Sequence, residues 1–285
     1  MPDLPVVDSH LHLWDTERLP WPTLDATPGL NRTFGLAELR GDTRGVPIAG
    51  FVYVQGEVAP PFAQLEAQWV AELARQEPRI QGIVAWAPIE YGEQTRPLLQ
   101  QLVAIDERVK GIRRITQFEP DPTWCLRPGF VRGCQILPDH GLSFDVCIDH
   151  TQLRYTTELV RRCPRTSFIL DHIAKPNIKR HIRDPWWHEI QEIAALPNVV
   201  CKISEVANQA DLEHWTLDDL RPYVERVLEV FGEDRVLYGA GYPIVLQACP
   251  YQRWVETVER LTQHLAPAAK RKFWADNARR VYRLE

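Results

Sequence analysis

The chain has 285 residues, 45% hydrophobic and 25% charged, a balance that supports a substantial folded core and argues against disorder. Its formal net charge of −5, with no basic run, excludes the electrostatic footprint of a nucleic-acid or anionic-membrane binder. No apolar run reaches the roughly 18 residues of a membrane span. The opening MPDLPVVDSH also lacks the basic and apolar stretches of a signal peptide, so a cytoplasmic protein is expected.

Taken in order, short β-branched apolar runs alternate with longer amphipathic segments. Strands are predicted at Pro5–His10, Ile48–Gln55, Gln81–Ile89 and Val109–Ile115, then Leu142–Ile148, Thr166–His172, Asn198–Ser204 and Arg235–Tyr238. Several are nearly continuous in apolar residues, as strands buried on both faces must be. Helices are predicted at Gln64–Gln76, where Leu65, Trp69, Ala71 and Leu73 would form the buried face, and at Glu93–Glu107, Pro128–His140 and Thr151–Cys163. Further helices are predicted at Pro185–Leu196, Thr216–Phe231, Tyr251–Leu265 and Ala268–Tyr282. Pro78, Pro164 and Pro197 stand just past helix ends, where proline stops a helix. Eight strands alternating with helices predict an α/β fold, a TIM (β/α)8 barrel, and the absence of linkers or repeats makes residues 1–285 a single domain. The Pro- and Trp-rich stretch from Trp14 to Pro47 follows the first strand, on the face where barrel active sites form.

The six cysteines show no C-x-x-C spacing and are expected to be reduced thiols. The strongest local signal is Asp8-Ser9-His10-Leu11-His12. Period-two alternation puts both imidazoles on one side, suited to a divalent cation such as zinc or to polarising a carbonyl. Ionisable residues recur at other strand exits: Glu57, Arg113, Asp149-His150, and Asp171-His172 followed by Lys175. Each also has a plain alternative, since Glu57 could cap a helix, Arg113 could pair with a helix carboxylate, and His150 could be a solvated loop residue. Their collection at separate strand ends is what points to a barrel active site.

The ordered segments VVDSHLHLWD, YVQGE, VKGIRRI, LSFDVCIDHTQL, FILDHIAKP, NVVCKIS, RVLYG-x-x-YP and NARRVYRL resemble the amidohydrolase superfamily, in particular its sugar-lactonase-like and dicarboxylate-lactonase-like branch. The resemblance implies a hydrolase that opens a lactone or related cyclic ester, in carbohydrate metabolism or among dicarboxylates. It implies His10, His12 and His172 as metal- or substrate-binding, with zinc the expected metal and metal-independent relatives the alternative. It places Arg113 where a carboxylate or oxyanion is gripped, and Glu57 and His150 at substrate-binding positions. It also carries a family-level expectation of a small-molecule substrate and a homodimer. Lys175 is a candidate for orienting an anionic substrate, or else a surface salt bridge. Trp14, Trp21, Trp86 and Tyr242 are candidate pocket walls.

One departure matters. The family's eighth strand ends in Gly-Ser-Asp-Trp/Tyr-Pro, its aspartate serving as metal ligand, general base or both, whereas this chain reads Gly239-Ala240-Gly241-Tyr242-Pro243. Glycine cannot carry a proton or a cation. The family usually has glycine after the serine of Lys202-Ile203-Ser204, where this chain has Glu205, which makes Glu205 the first candidate for a relocated base, ahead of Asp145, Asp171 and Glu57. Alternatives are a lactone isomerase or decarboxylase on the same scaffold, and an inactive ligand-binding relative.

Overall fold

The computed structural model describes residues 1–285. Eight parallel strands form one sheet in sequence order: β1 (Val6–Leu11), β2 (Ile48–Val54), β3 (Ile80–Ala85), β4 (Val109–Arg113), β5 (Ser143–Val146), β6 (Phe168–Leu170), β7 (Val199–Ile203) and β8 (Val236–Tyr238). The sheet curls into a TIM barrel, and β8 is stitched back to β1. Gly241 N donates to His10 O at 2.9 Å and His12 N to Tyr242 O at 2.7 Å. Asp8 works as the clasp, its buried carboxylate accepting from His10 N, Ala240 N and the Tyr251 hydroxyl at 2.8–3.0 Å. Burial raises the Asp8 carboxyl to about 6 against the lowering pull of those donors.

All eight predicted strands are present, and every predicted helix overlaps an observed one. The differences have local causes. Strand β3 stops at Ala85 and β6 at Leu170, because the backbone turns away before the apolar run ends. The helix Ala63–Gln76 buries Glu66, Ala67, Val70 and Ala74 alongside Trp69 and Ala71, while Leu65 is exposed, so its inner face is rotated from the expected one. A short helix at Leu36–Asp42 in the first insertion was not expected. Gly35 starts it, its N–H bound by Glu38 three residues on. The last predicted helix is broken by a π-turn at Lys272–Asp276 between Pro267–Arg271 and Asn277–Tyr282. All six cysteines are buried free thiols. No helix is long and apolar enough to cross a membrane.

What positions the site is the layering inside the barrel. An apolar layer of Val7, Val52, Val54, Val84, Ile169, Val200 and Leu237 is closed from below by Ala275, Ala278, Val281 and Tyr282. Two residues along β6 and β7 the same faces carry Asp171 above Ile169 and Lys202 above Val200. A charged layer therefore sits on the apolar one, and the chemistry sits on both.

Candidate functional site

At the strand exits lies a cavity of about 260 Å³ lined by His12, Glu57, Arg113, His172, Lys175 and Glu205 together with Trp14, Gln117 and Cys147. A cleft of about 440 Å³ around Arg75, Arg108 and Arg283 lies at the opposite end of the barrel, away from these groups.

The two histidines from β1 meet. His10 Nε2 and His12 Nε2 are 3.2 Å apart, and both rings are buried. His12 Nδ1 lies 2.7 Å from the Val54 carbonyl, which can only accept, so Nδ1 carries the proton and Nε2 presents a lone pair. Burial is the main cause lowering both imidazoles, His12 to about 3 and His10 well below its ordinary value, so both are neutral at neutral pH. His172 joins them, its ring 4.4 Å from that of His10, with Nδ1 2.8 Å from Ser204 Oγ and Nε2 3.5 Å from Glu205 Oε2. It too is held neutral by burial first and by neighbouring positive charge.

Glu205 lies directly against Gly241. A Cβ added at Gly241 would fall 2.3 Å from Glu205 Cγ and 2.5 Å from its Oε1. The carboxyl group from the end of β7 thus fills the space into which a side chain at the end of β8 would project. Burial raises Glu205 to about 7, countered by Lys175 and Arg113. Both positions have left-handed backbone, φ +51° at Glu205 and +74° at Gly241, so glycine at either is favoured and a side chain at either is strained.

The remaining expected residues divide. Arg113 lines the cavity, but its NH2 donates to Gln55 O and its NH1 to Asp171 Oδ2 at 3.3 Å, so the fork is largely taken and a bidentate grip on a substrate carboxylate is not available. Glu57 is half-buried at the rim, tied to Gln55 by two bonds of 2.7 Å. Lys175 is no surface salt bridge: its Nζ donates to Gln117 Oε1 at 2.7 Å inside the cavity. Trp14 is a cavity wall. Four residues fall elsewhere. His150 is outside the cavity, its Nδ1 3.0 Å from the Lys175 carbonyl and beside Asp149, because the chain turns at Asp149 before His150 can point inward. Tyr242 is buried behind the site, its hydroxyl donating to Asp42 at 2.9 Å. Trp21 packs edge-on against Trp69, and neither it nor Trp86 reaches the cavity.

Sequence reasoning missed Gln117, Thr23, Thr27 and Gln247 in the lining, which carry no signal beyond being polar loop residues. It also passed over Lys202, whose signal was plain: a lysine in the middle of a fully buried strand. Lys202 Nζ donates to Asp145 Oδ2 at 2.6 Å and sits 3.1 Å from Asp171 Oδ1.

The donor set fits a divalent cation. Ligand atoms of His10, His12 and Glu205 lie within 4.8 Å of one another. Two imidazole nitrogens bound tetrahedrally to zinc at about 2.0–2.1 Å would stand roughly 3.3 Å apart, close to what His10 and His12 present. His12 has the backbone-carbonyl partner on its far nitrogen that metal-binding histidines usually have.

Comparison with known proteins agrees with this architecture. The chain is 27% identical over 98% of its length to an L-fucono-1,5-lactonase of Burkholderia ambifaria, covering 96% of that protein. It is 28% identical to an L-fucono-1,5-lactonase of Burkholderia multivorans, with 98% and 96% covered. A crystal structure of an amidohydrolase from Burkholderia multivorans with bound zinc superposes with a TM-score of 0.88 at 26% identity, covering 99% of this chain and 100% of that one. The family model described as amidohydrolase matches residues 7–284. With the barrel, the histidine cluster at its strand exits and a match spanning the chain, this protein belongs to the amidohydrolase family.

Proposed function

We propose that the chain hydrolyses a neutral sugar-acid lactone, with Glu205 as the general base delivered from β7 in place of the usual β8 aspartate. The observation that carries this is the complementarity of Glu205 and Gly241: the site has kept a buried carboxyl group against its histidines and moved the strand that supplies it. The lactonase relatives support the reaction class. The charge of the lining supports the neutral substrate, since the Arg113 fork is bonded to Asp171 and Gln55 and the remaining cation, Lys175, shares the cavity with Glu57 and Glu205.

In the reaction, water attacks the lactone carbonyl carbon and the ring C–O bond breaks, giving a hydroxy acid. Glu205, raised to about 7, takes the proton from water and returns it to the departing ring oxygen. Neutral His172 orients Glu205 through Nε2, and Arg113 in the cavity wall places positive charge beside the carbonyl oxygen. Lys175, Gln117 and Glu57 hydrogen-bond the substrate hydroxyls. A divalent cation held by His10, His12 and Glu205 would supply Lewis-acid polarisation when bound.

The test is hydrolysis of L-fucono-1,5-lactone and related aldonolactones by the parent chain and E205Q, with 2-pyrone-4,6-dicarboxylate as the anionic comparison. Turnover of the neutral lactones that falls about 10²–10⁴-fold in E205Q is expected. Equal rates in E205Q remove Glu205 as the base. Binding without turnover by the parent returns the chain to a ligand-binding role.

A further inference from the structure

Beneath the cavity, sharing His10 and His172 with the proposed site, lies a second group of donors. His10, Asp171 and His172 each offer an atom within 4.8 Å of the others. Asp145 lies on the neighbouring strand, and Asp145, Asp171 and His10 are all fully buried. Asp145 Oδ1 has no hydrogen-bond partner. Carboxylates of this kind in a barrel interior need a cation.

The cation present is a side chain. Lys202 Nζ stands 2.6 Å from Asp145 Oδ2, 3.1 Å from Asp171 Oδ1 and 3.3 Å from His10 Nδ1, with the Tyr282 ring 5.4 Å below. The Tyr282 hydroxyl also donates to Asp145 Oδ2 at 2.5 Å, so the C-terminal helix completes the nest. Two carboxylate oxygens facing one point suit a cation, and the ammonium sits at that point, beside the His10 ring.

We infer that Lys202 is an internal countercation that occupies a second metal position and limits this barrel to one divalent ion, at the His10, His12 and Glu205 set. Lys202 is a positioning residue, touching His10 from the side opposite His12. The absolute metal count rests on the proposed reading of the site. The change in that count on removing Lys202 does not.

The experiment compares the parent chain, K202A and K202M, each equilibrated with buffered zinc, desalted, and measured for zinc per folded chain. K202A removes the charge and opens a void between Asp145, Asp171 and His10, whereas K202M removes the charge but fills the space. The expected result is one zinc more per chain in K202A than in the parent, none more in K202M, and displacement of the added zinc by methylammonium, which restores an ammonium to the void. Where K202A folds only with zinc or methylammonium present, the same conclusion follows. The inference is overturned by a parent chain that takes up two zinc ions, by a K202A that gains none, by an equal gain in K202M, or by a K202A that neither cation restores to a fold. A parent chain with no zinc, alongside a K202A with one, discards the His10, His12 and Glu205 cation set and leaves the Lys202 inference standing.

Discussion

Moving the carboxyl group back to β8 is the sharpest perturbation the site offers. G241D alone puts a Cβ 2.3 Å from Glu205 Cγ on a backbone at φ +74°. The left-handed conformation costs a non-glycine residue roughly 1–2 kcal/mol, and overpacking a rigid neighbour about 1–3 kcal/mol more. The two carboxyl groups also cannot both ionise at such separation, so one is driven neutral. The single variant should therefore lose about 2–5 kcal/mol of stability by these terms. E205G alone relieves the strain at φ +51° but removes the base, so its stability should stay near the parent while its rate falls about 10²–10⁴-fold. In E205G/G241D the clash is gone and a carboxyl group again faces the histidines. Urea denaturation should recover the overpacking part of the G241D loss, a coupling of about 1–3 kcal/mol, while the left-handed cost at 241 remains, and lactone hydrolysis should exceed that of E205G at least ~10-fold. Stability effects that add within about 0.5 kcal/mol, or a double variant no faster than E205G, would refute the idea that one space serves both positions.

Three further outcomes are expected. Glu66, buried beneath Gly56 and bonded by Tyr53 and the Gly56 N–H, is raised to about 7, chiefly by burial. The folded chain thus holds a proton there that the unfolded chain releases near 4.5, and stability falls by about 3 kcal/mol as pH rises through this window. E66Q should be more stable than the parent at pH 8 but not at pH 4, and a parallel pH profile by thermal denaturation speaks against this. D8A strands the Ala240 and His10 N–H groups and the Tyr251 hydroxyl in the barrel seam; a loss of at least about 3 kcal/mol is expected in urea, and a loss under 1 kcal/mol means that the clasp is not Asp8. K175M should raise KM for an aldonolactone about 10-fold with a smaller change in kcat, as expected of a residue that binds hydroxyls; an unchanged KM removes it from the binding role.

Much of this was legible beforehand, for identifiable reasons. Strands buried on both faces leave dense apolar runs, as in β2 and β7, and it was the count of eight such runs alternating with helices that pointed to the barrel. The convergence of His10 and His12 followed from strand alternation. What escaped was whatever depended on backbone leaving the regular path. His172 is legible as a strand-end histidine, but the turn that carries it beyond β6, with φ of +47° to +60°, is encoded by no apolar pattern. His150 looked like a strand-end ligand because the turn at Asp149 was invisible. Arg113 looked available because its partners, the Gln55 carbonyl and Asp171, are 58 residues away in either direction. Glu205 was singled out by what stood at 205 and 241, but only geometry relates the two as occupants of one space.

The turn after β6 has a mechanical consequence. Four successive residues, His172 to Lys175, are left-handed, a conformation that relaxes unless it is held. It is held from outside: the buried indole of Trp186, at the start of the helix Trp186–Ala194 on the barrel's outer wall, donates to the Ile173 carbonyl at 2.8 Å, and the His150 ring grips the Lys175 carbonyl at 3.0 Å. An imidazole and an ammonium therefore share one spring, latched by residues that never touch the cavity. Loosening that latch shifts both groups together, so sequence change on the outer wall can retune the aim of the inner groups without replacing either.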